Sequence, residues 1–257
     1  MITKAGVREE GQRICSEAGT VQGGNISALL ANIYLHYVFD LWTQRWRRKQ
    51  VRGAVVVVRY ADACVAGFEH REEAERFLAE LHEPFQQFGL ELHPDKTRSL
   101  PFGRQADRQW RTGWGDKPGT FNFLGFRHSS GKTRKGAVTV PRHTMRTRVQ
   151  AKLVELRAEL RRRMHDPLPE QGAFVAAVVR GHTRYYGVPM NGSAITAFRQ
   201  AVGRLWFQTL RRRRQPHRLR WERMQRLIRL CLPLALVCHP YPLQRFDVLT
   251  QGRSPVR

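Results

Sequence analysis

The chain has 257 residues, 41% of them hydrophobic, which is enough to bury a core as one large or two small domains and excludes a disordered composition. Its 45 Lys and Arg against 21 Asp and Glu leave a formal net charge of +24, which favours a polyanionic partner, nucleic acid above all. A membrane is disfavoured: no run approaches the roughly 18 apolar residues of a spanning helix, and no signal-peptide pattern opens the sequence.

Arginine outnumbers lysine, which suits bidentate phosphate recognition and stacking better than simple solubility. A basic ribosomal or structural protein is the competing class, though the apolar strands described below are unusual in one. Cys15, Cys64, Cys231 and Cys238 show no CxxC spacing, and the histidines show no HxxxH or HExxH pairing. Zinc is disfavoured, and reduced thiols in a cytoplasm fit best.

Residues 1–19 carry little pattern and read as a lead-in. A glycine-containing turn follows, with Gln22, Gly23 and Gly24 ahead of Ser27 placed as a helix N-cap. The helix read over 28–46 puts Leu30, Ile33, Tyr34, Val38, Leu41 and Trp42 on one side and ends in a basic run. Paired glycines before a helix let a ligand or another backbone approach closely, although a plain loop explains them equally well.

Residues 53–68 are the segment around which the rest is arranged. The valines Val55, Val56, Val57 and Val58 and a second β-prone run over 65–68 flank the break Tyr60, Ala61, Asp62, Ala63. That pattern predicts a buried hairpin with Asp62 at its tip and Cys64 as a small core residue. Asp62 is either an ordinary turn residue or a carboxylate that needs a partner or a metal.

Residues 72–88 form an amphipathic helix with Ala74, Phe77, Leu78, Leu81 and Phe85 on its apolar side, a bend at Pro84 and a stop at Gly89. Short strands are expected over 90–92 and 97–102, around a turn holding Lys96. A polar loop over 103–119 then leads to an FNFLGF segment (121–126), a basic hairpin at 129–132 and a strand over 137–140. Helix, hairpin, helix and strands in that order predict an α+β domain, an antiparallel sheet with helices on one face, over 1–141.

Beyond Pro141 four helices are expected, over 142–164, 171–186, 194–213 and 219–230. They hold Arg161, Arg162, Arg163, Arg180, Arg184, Arg204, Arg211, Arg212, Arg213 and Arg214, interleaved with Tyr185, Tyr186, Trp206, Phe207 and Trp221. Any one arginine suits a solvated face. The set as a whole favours RNA contact, because rings beside guanidinium groups stack on unpaired bases. Residues 231–257 read as a basic tail.

Taken together, these segments resemble the bacterial group II intron-encoded reverse transcriptase/maturase family from its palm onward. TVQGGNISALLANIYLH (20–36) is similar to its template- and nucleotide-contacting loop and helix, and RYADACVAGF (59–68) to its active-site hairpin. GLELHPDKTRS (89–99) and FNFLGF (121–126) resemble the two motifs that follow. YYGV (185–188), the Leu205-Trp206 pair with its arginines, WER (221–223) and HPYP (239–242) are similar to the thumb, or maturase, region.

The resemblance implies a partial palm over 1–141, an all-α thumb/maturase region over 142–230 that binds intron RNA, with DNA as a further nucleic-acid partner, and the tail. It implies Gln22, Gly23, Gly24, Tyr60, Ala61 and Lys96 as nucleotide or template contacts and Asp62 as a catalytic, magnesium-binding carboxylate. Two-metal nucleotidyl transfer needs several carboxylates around Mg²⁺ ions about 3.5–4 Å apart. In the family an earlier palm strand supplies one and the hairpin a pair, yet here Ala63 takes the second hairpin position and no counterpart of the earlier strand is found. Val21 and Ala28 also stand where the family has prolines.

The expectation is a chain that keeps RNA affinity but lacks polymerase activity by itself. The alternatives are completion by a separate N-terminal fragment, or a remnant of a mobile element without function. A hairpin missing its neighbouring strand should also expose an apolar edge and depend on a partner or RNA for solubility.

Overall fold

The computed structural model describes residues 6–9, 12–15, 26–113, 117–132, 136, 138–213 and 219–240. Two units emerge from its contacts, Met1–Ser99 and Leu100–Arg257. The architecture is α+β, with small antiparallel sheets followed by a helical region, as the composition and hydrophobic periodicity predict.

In the first unit, β1 (Gly6–Glu9) and β2 (Gln12–Cys15) form a two-stranded ribbon where only a lead-in was expected. Helix α1 (Ser27–Leu35) runs through a π-helical turn (His36–Asp40) into α2 (Leu41–Gln50). Ser27 is the first helical residue and the N-cap position falls on Ile26, one residue before the expected cap. The wider π turn inserts an extra residue and rotates everything after it by about 100°. This explains why the buried residues are Val38, Phe39, Thr43 and Trp46 rather than the six-residue stripe read with an uninterrupted α-helical period. No residue of α1 is buried.

Strands β3 (Val55–Tyr60) and β4 (Ala63–Phe68) pair antiparallel from Val55↔Phe68 to Tyr60↔Ala63. The hairpin lies where expected, but it is covered on one face only. Val57, Ala66 and Phe68 pack with Phe39, Trp46, Phe77 and Leu81. Directly opposed residues share a face, so Val56, Val58 and Tyr60 point the other way, and they are 54%, 49% and 64% exposed. Cys64 is exposed as well, not a core residue.

Helix α3 (Arg71–Gln87) supplies Phe77 and Leu81, each contributing roughly 1.5–3 kcal/mol by burial. Its end is a Schellman motif: Leu90 N–H donates to Phe85 O (2.8 Å) and Gly89 N–H to Gln86 O (3.0 Å), with Gly89 at φ 63°. Leu90 N–H is thereby committed to the helix, and Lys96 and Thr97 N–H both turn back to His93 O. The strands expected over 90–92 and 97–102 do not form: Leu90 and Thr97 N–H close turns, and Pro101 O accepts from Gly119 N–H (2.8 Å).

In the second unit, α4 (Gly103–Arg111) replaces the expected polar loop. Only Ala106 of this helix is buried, so it offers no apolar period to read, and Asp107 pairs with Arg111 one turn on. Strands β5 (Thr120–Phe123), β6 (Phe126–Ser129) and β9 (Arg142–Thr144) form a three-stranded sheet, and β7 (Gly131–Lys132) pairs with β8 (Val138–Thr139). Leu124 (φ 49°) and Gly125 (φ 76°) turn β5 into β6, and left-handed values at both positions mark a type I′ hairpin. Residues 142–144, read as the start of a helix, are instead the sheet's third strand.

Helices α5 (Arg146–Arg162), α6 (Leu168–Tyr186), α7 (Gly192–Arg211) and α8 (Trp221–Cys231) match the four expected apart from their ends. Leu156, Leu160, Val175, Val179, Phe198, Val202, Trp206 and Met224 make the core. Gln171 is fully buried within it: its amide donates to the carbonyls of Arg163 and Met164, and its oxygen accepts from Trp206 Nε1 (3.0 Å). Asn191, equally buried, donates to Thr144 Oγ1 (2.8 Å) and Tyr186 O (2.8 Å) and accepts from Thr144 N–H (3.1 Å), joining β9 to the helices.

Candidate nucleic-acid interface

At the hairpin tip, Ala61 and Asp62 make a two-residue turn, with Ala61 in the left-handed region at φ 52°. A side chain with a Cβ is disfavoured there, so the turn needs outside support. Arg59 supplies it. Its Nη1 donates to Ala61 O (3.0 Å) and Asn32 Oδ1 (3.0 Å), while Nε and Nη2 grip both oxygens of Asp40 at 2.8 and 2.6 Å. The bidentate hydrogen bond from Arg59 holds the Asp40 carboxyl below the usual carboxylate range.

Tyr60, Ala61 and Asp62 therefore sit together on an exposed tip. Lys96 lies in a separate exposed turn, which its own N–H closes onto His93 O (3.2 Å). Gln22, Gly23 and Gly24, with Arg214, fall outside the described residues. Among the described residues no group of three or more His, Cys, Asp or Glu side chains could hold a metal ion. The described residues do not fit a two-magnesium centre: Asp62 is followed by Ala63, and Asp40 is already engaged by a guanidinium. The Arg59–Asp40 pair escaped the sequence reading because nothing local links positions 19 residues apart.

Among the second unit's arginines, several are committed to the fold. Arg163 pairs with Glu159 and lies over the Phe174 ring, and Arg213 donates to Met164 O and Asp166 O, whereas Arg162, also paired with Glu159, keeps a side chain 77% exposed. Trp206, expected to touch RNA, is 0% exposed. It is a core residue whose indole N–H is satisfied by Gln171, so it offers no face to a ligand. Tyr185 and Tyr186 make packing contacts too, although Tyr185 stays 52% exposed. Tyr185 stacks on Phe126 (5.8 Å, 17°) and donates to Leu124 O (3.0 Å), and Tyr186 meets Phe126 edge-on at 5.1 Å. The YYG and FLGF segments are thus two sides of one packing contact.

Arg161, Arg180, Arg184, Arg204, Arg211 and Arg212 remain exposed, and among the described residues no carboxylate pairs with Arg180, Arg184, Arg204, Arg211 or Arg212. Cations left unpaired on a chain of +24 are a standing attraction for phosphate. Among the described residues no helix is long and apolar enough to cross a membrane.

Residues 2–128 match the family model described as Reverse transcriptase (RNA-dependent DNA polymerase), a span just under half of the chain. The match runs from the first ribbon through the Asp62 hairpin and α4 to β6, and supports a reverse-transcriptase family. Domains of this family bind nucleic acid and generally use Mg²⁺. No curated protein matches the chain.

Proposed function

We propose that this chain is an RNA-binding protein of the group II intron reverse transcriptase/maturase kind, acting in the cytoplasm on intron RNA and making no DNA by itself. The observation that carries the reading is the contrast between its two basic assets. Exposed guanidinium groups without carboxylate partners persist on the helices, while a lone carboxylate, Asp62, stands at the hairpin followed by Ala63. Phosphate binding needs only the former, whereas two-metal nucleotidyl transfer needs several acids converging on one point.

The test has two arms. Purified chain should bind RNA with an affinity that falls steeply as salt rises. Primer extension on an RNA template with Mg²⁺ should give no cDNA above background, and robust synthesis by the isolated chain would refute the negative half of the proposal. Completion by a separate polypeptide is the second reading. It is favoured by the uncovered apolar face of the β3–β4 hairpin, where Val56, Val58 and Tyr60 stand open to solvent. Co-expression with a separate fragment that carries further palm carboxylates, followed by the same extension assay, separates the two.

A further inference from the structure

Helix α7 carries two faces of opposite character. Val202, Leu205, Trp206, Thr209 and Leu210 are buried in the bundle. Arg204, Phe207, Gln208 and Arg211 stand at i, i+3, i+4 and i+7, so helical geometry gathers them on one side. With Arg212 and with Trp221, the first residue of α8, they line a single cleft of about 460 Å³. It is open, nearer a surface depression than an enclosed cavity.

The cleft's chemistry is specific. Phe207 and Trp221 meet edge to face, 5.0 Å apart at 71°, which fixes the indole while leaving Trp221 37% exposed. The Arg211 guanidinium lies 5.6 Å from the Phe207 ring centroid. Gln208 adds one amide donor group and one acceptor. Three guanidinium groups, without carboxylate partners among the described residues, stand around a single opening and repel one another until an anion enters.

We propose that this cleft takes one unpaired nucleotide of an RNA strand, its base stacked on Trp221 and the flanking phosphates held by Arg204, Arg211 and Arg212. The inference rests on the RNA-binding reading above and adds the kind of RNA and the place. A base inside a duplex hides its faces, so a ring platform discriminates for single strands, loops and bulges. An acidic peptide would satisfy the guanidinium groups but would leave the indole and the amide without a role.

The experiment compares a short fluorescent oligoadenylate with a blunt RNA duplex of equal phosphate number, by anisotropy with the full chain over a salt series. Trp221→Leu should weaken single-strand binding roughly tenfold or more and change duplex binding less than about twofold, while Trp221→Phe keeps most of the affinity. Arg204→Gln should lower the slope of log affinity against log salt by about 0.7 on the single strand. Gln208→Ala, on the exposed side of α7, should weaken oligoadenylate alone, so the outcome does not depend on the fold tolerating a change at Trp221. Wild-type binding to RNA that Trp221→Leu, Arg204→Gln and Gln208→Ala all leave unaltered, or that they weaken equally on both probes, overturns the cleft while sparing the RNA-binding reading. Polyglutamate competing as well as RNA for the oligoadenylate site also overturns the cleft. A wild-type chain that binds neither probe overturns both.

Discussion

Replacing Gln171 by leucine tests whether the buried Gln171–Trp206 bond is a principal support of the helical region. Leucine nearly matches glutamine in volume, so the substitution removes hydrogen bonds with little change in packing. Arg163 O keeps the hydrogen bond from Asp166 N–H (3.1 Å), and Met164 O keeps the one from Arg213, but Trp206 Nε1–H loses its acceptor at a fully buried position. An unsatisfied buried donor costs about 1–3 kcal/mol, and with the lost bonds the expected total is about 2–4 kcal/mol. For a domain of this size that lowers the midpoint of thermal unfolding by roughly 4–16 °C.

Trp206→Phe alone should cost about 2–3 kcal/mol, through the void it leaves and the unmatched Gln171 oxygen. Combined with Gln171→Leu it removes the orphaned donor, so the double variant should be about 1–2 kcal/mol more stable than the sum of the singles. Urea or thermal denaturation followed by circular dichroism reads all four corners of the cycle. A neutral Gln171→Leu, or additivity within about 0.5 kcal/mol, would show that this hydrogen bond is not what holds α5, α6 and α7 together.

Other expectations concern single groups. His182 is stacked on Phe198 at 3.6 Å, its Nε2 has no partner, and burial pushes its pKa down to about 4. The ring is neutral in the folded chain while the unfolded chain takes up a proton near pH 6.5, so stability is full above that pH. It should fall by about 1–2 kcal/mol, allowing for partial exposure, as pH drops toward about 4. His182→Leu should flatten this part of a pH–urea profile. Asp40, held below the usual carboxylate range by its bond from Arg59, contributes stability present above the unfolded carboxyl pKa and lost as pH falls through its lowered value. Asp40→Asn should cost about 1 kcal/mol at neutral pH after screening and should remove that acid-side loss in the same titration. Gly125→Ala forces a Cβ into the left-handed region (φ 76°), 2.8 Å from Tyr186 Oη, and should cost about 1–3 kcal/mol. Adding Tyr186→Phe should recover the collision and leave the backbone strain.

Local chemistry was legible in the sequence. The four bundle helices follow an unbroken apolar period, Gly89 marks the end of α3, and the break at Ala61-Asp62 is where the valine hairpin turns. Features that depend on distant partners were not legible. A π turn rotates the face of α2 without any compositional mark, α4 buries a single alanine, and the segment after Pro141 becomes a strand only because β6 lies beside it. At the candidate site the basic face of α7 could be found by spacing, since Arg204, Gln208 and Arg211 recur at helical intervals. The interior place of Trp206 could not, because an indole beside arginines has the same pattern whether it stacks on a base or fills a core. Nothing in the sequence marks Gln171 and Asn191, whose side chains are fully buried.

The guanidinium of Arg59 has a consequence for what the hairpin tip tolerates. It ties the Ala61 carbonyl to two residues of the preceding helical segment, Asn32 and Asp40, so the tip is braced from within the protein. Tyr60 and Ala63 close the last rung, placing position 63 on a framework that already stands. The side chain at that rung can therefore change without disturbing the ribbon's shape.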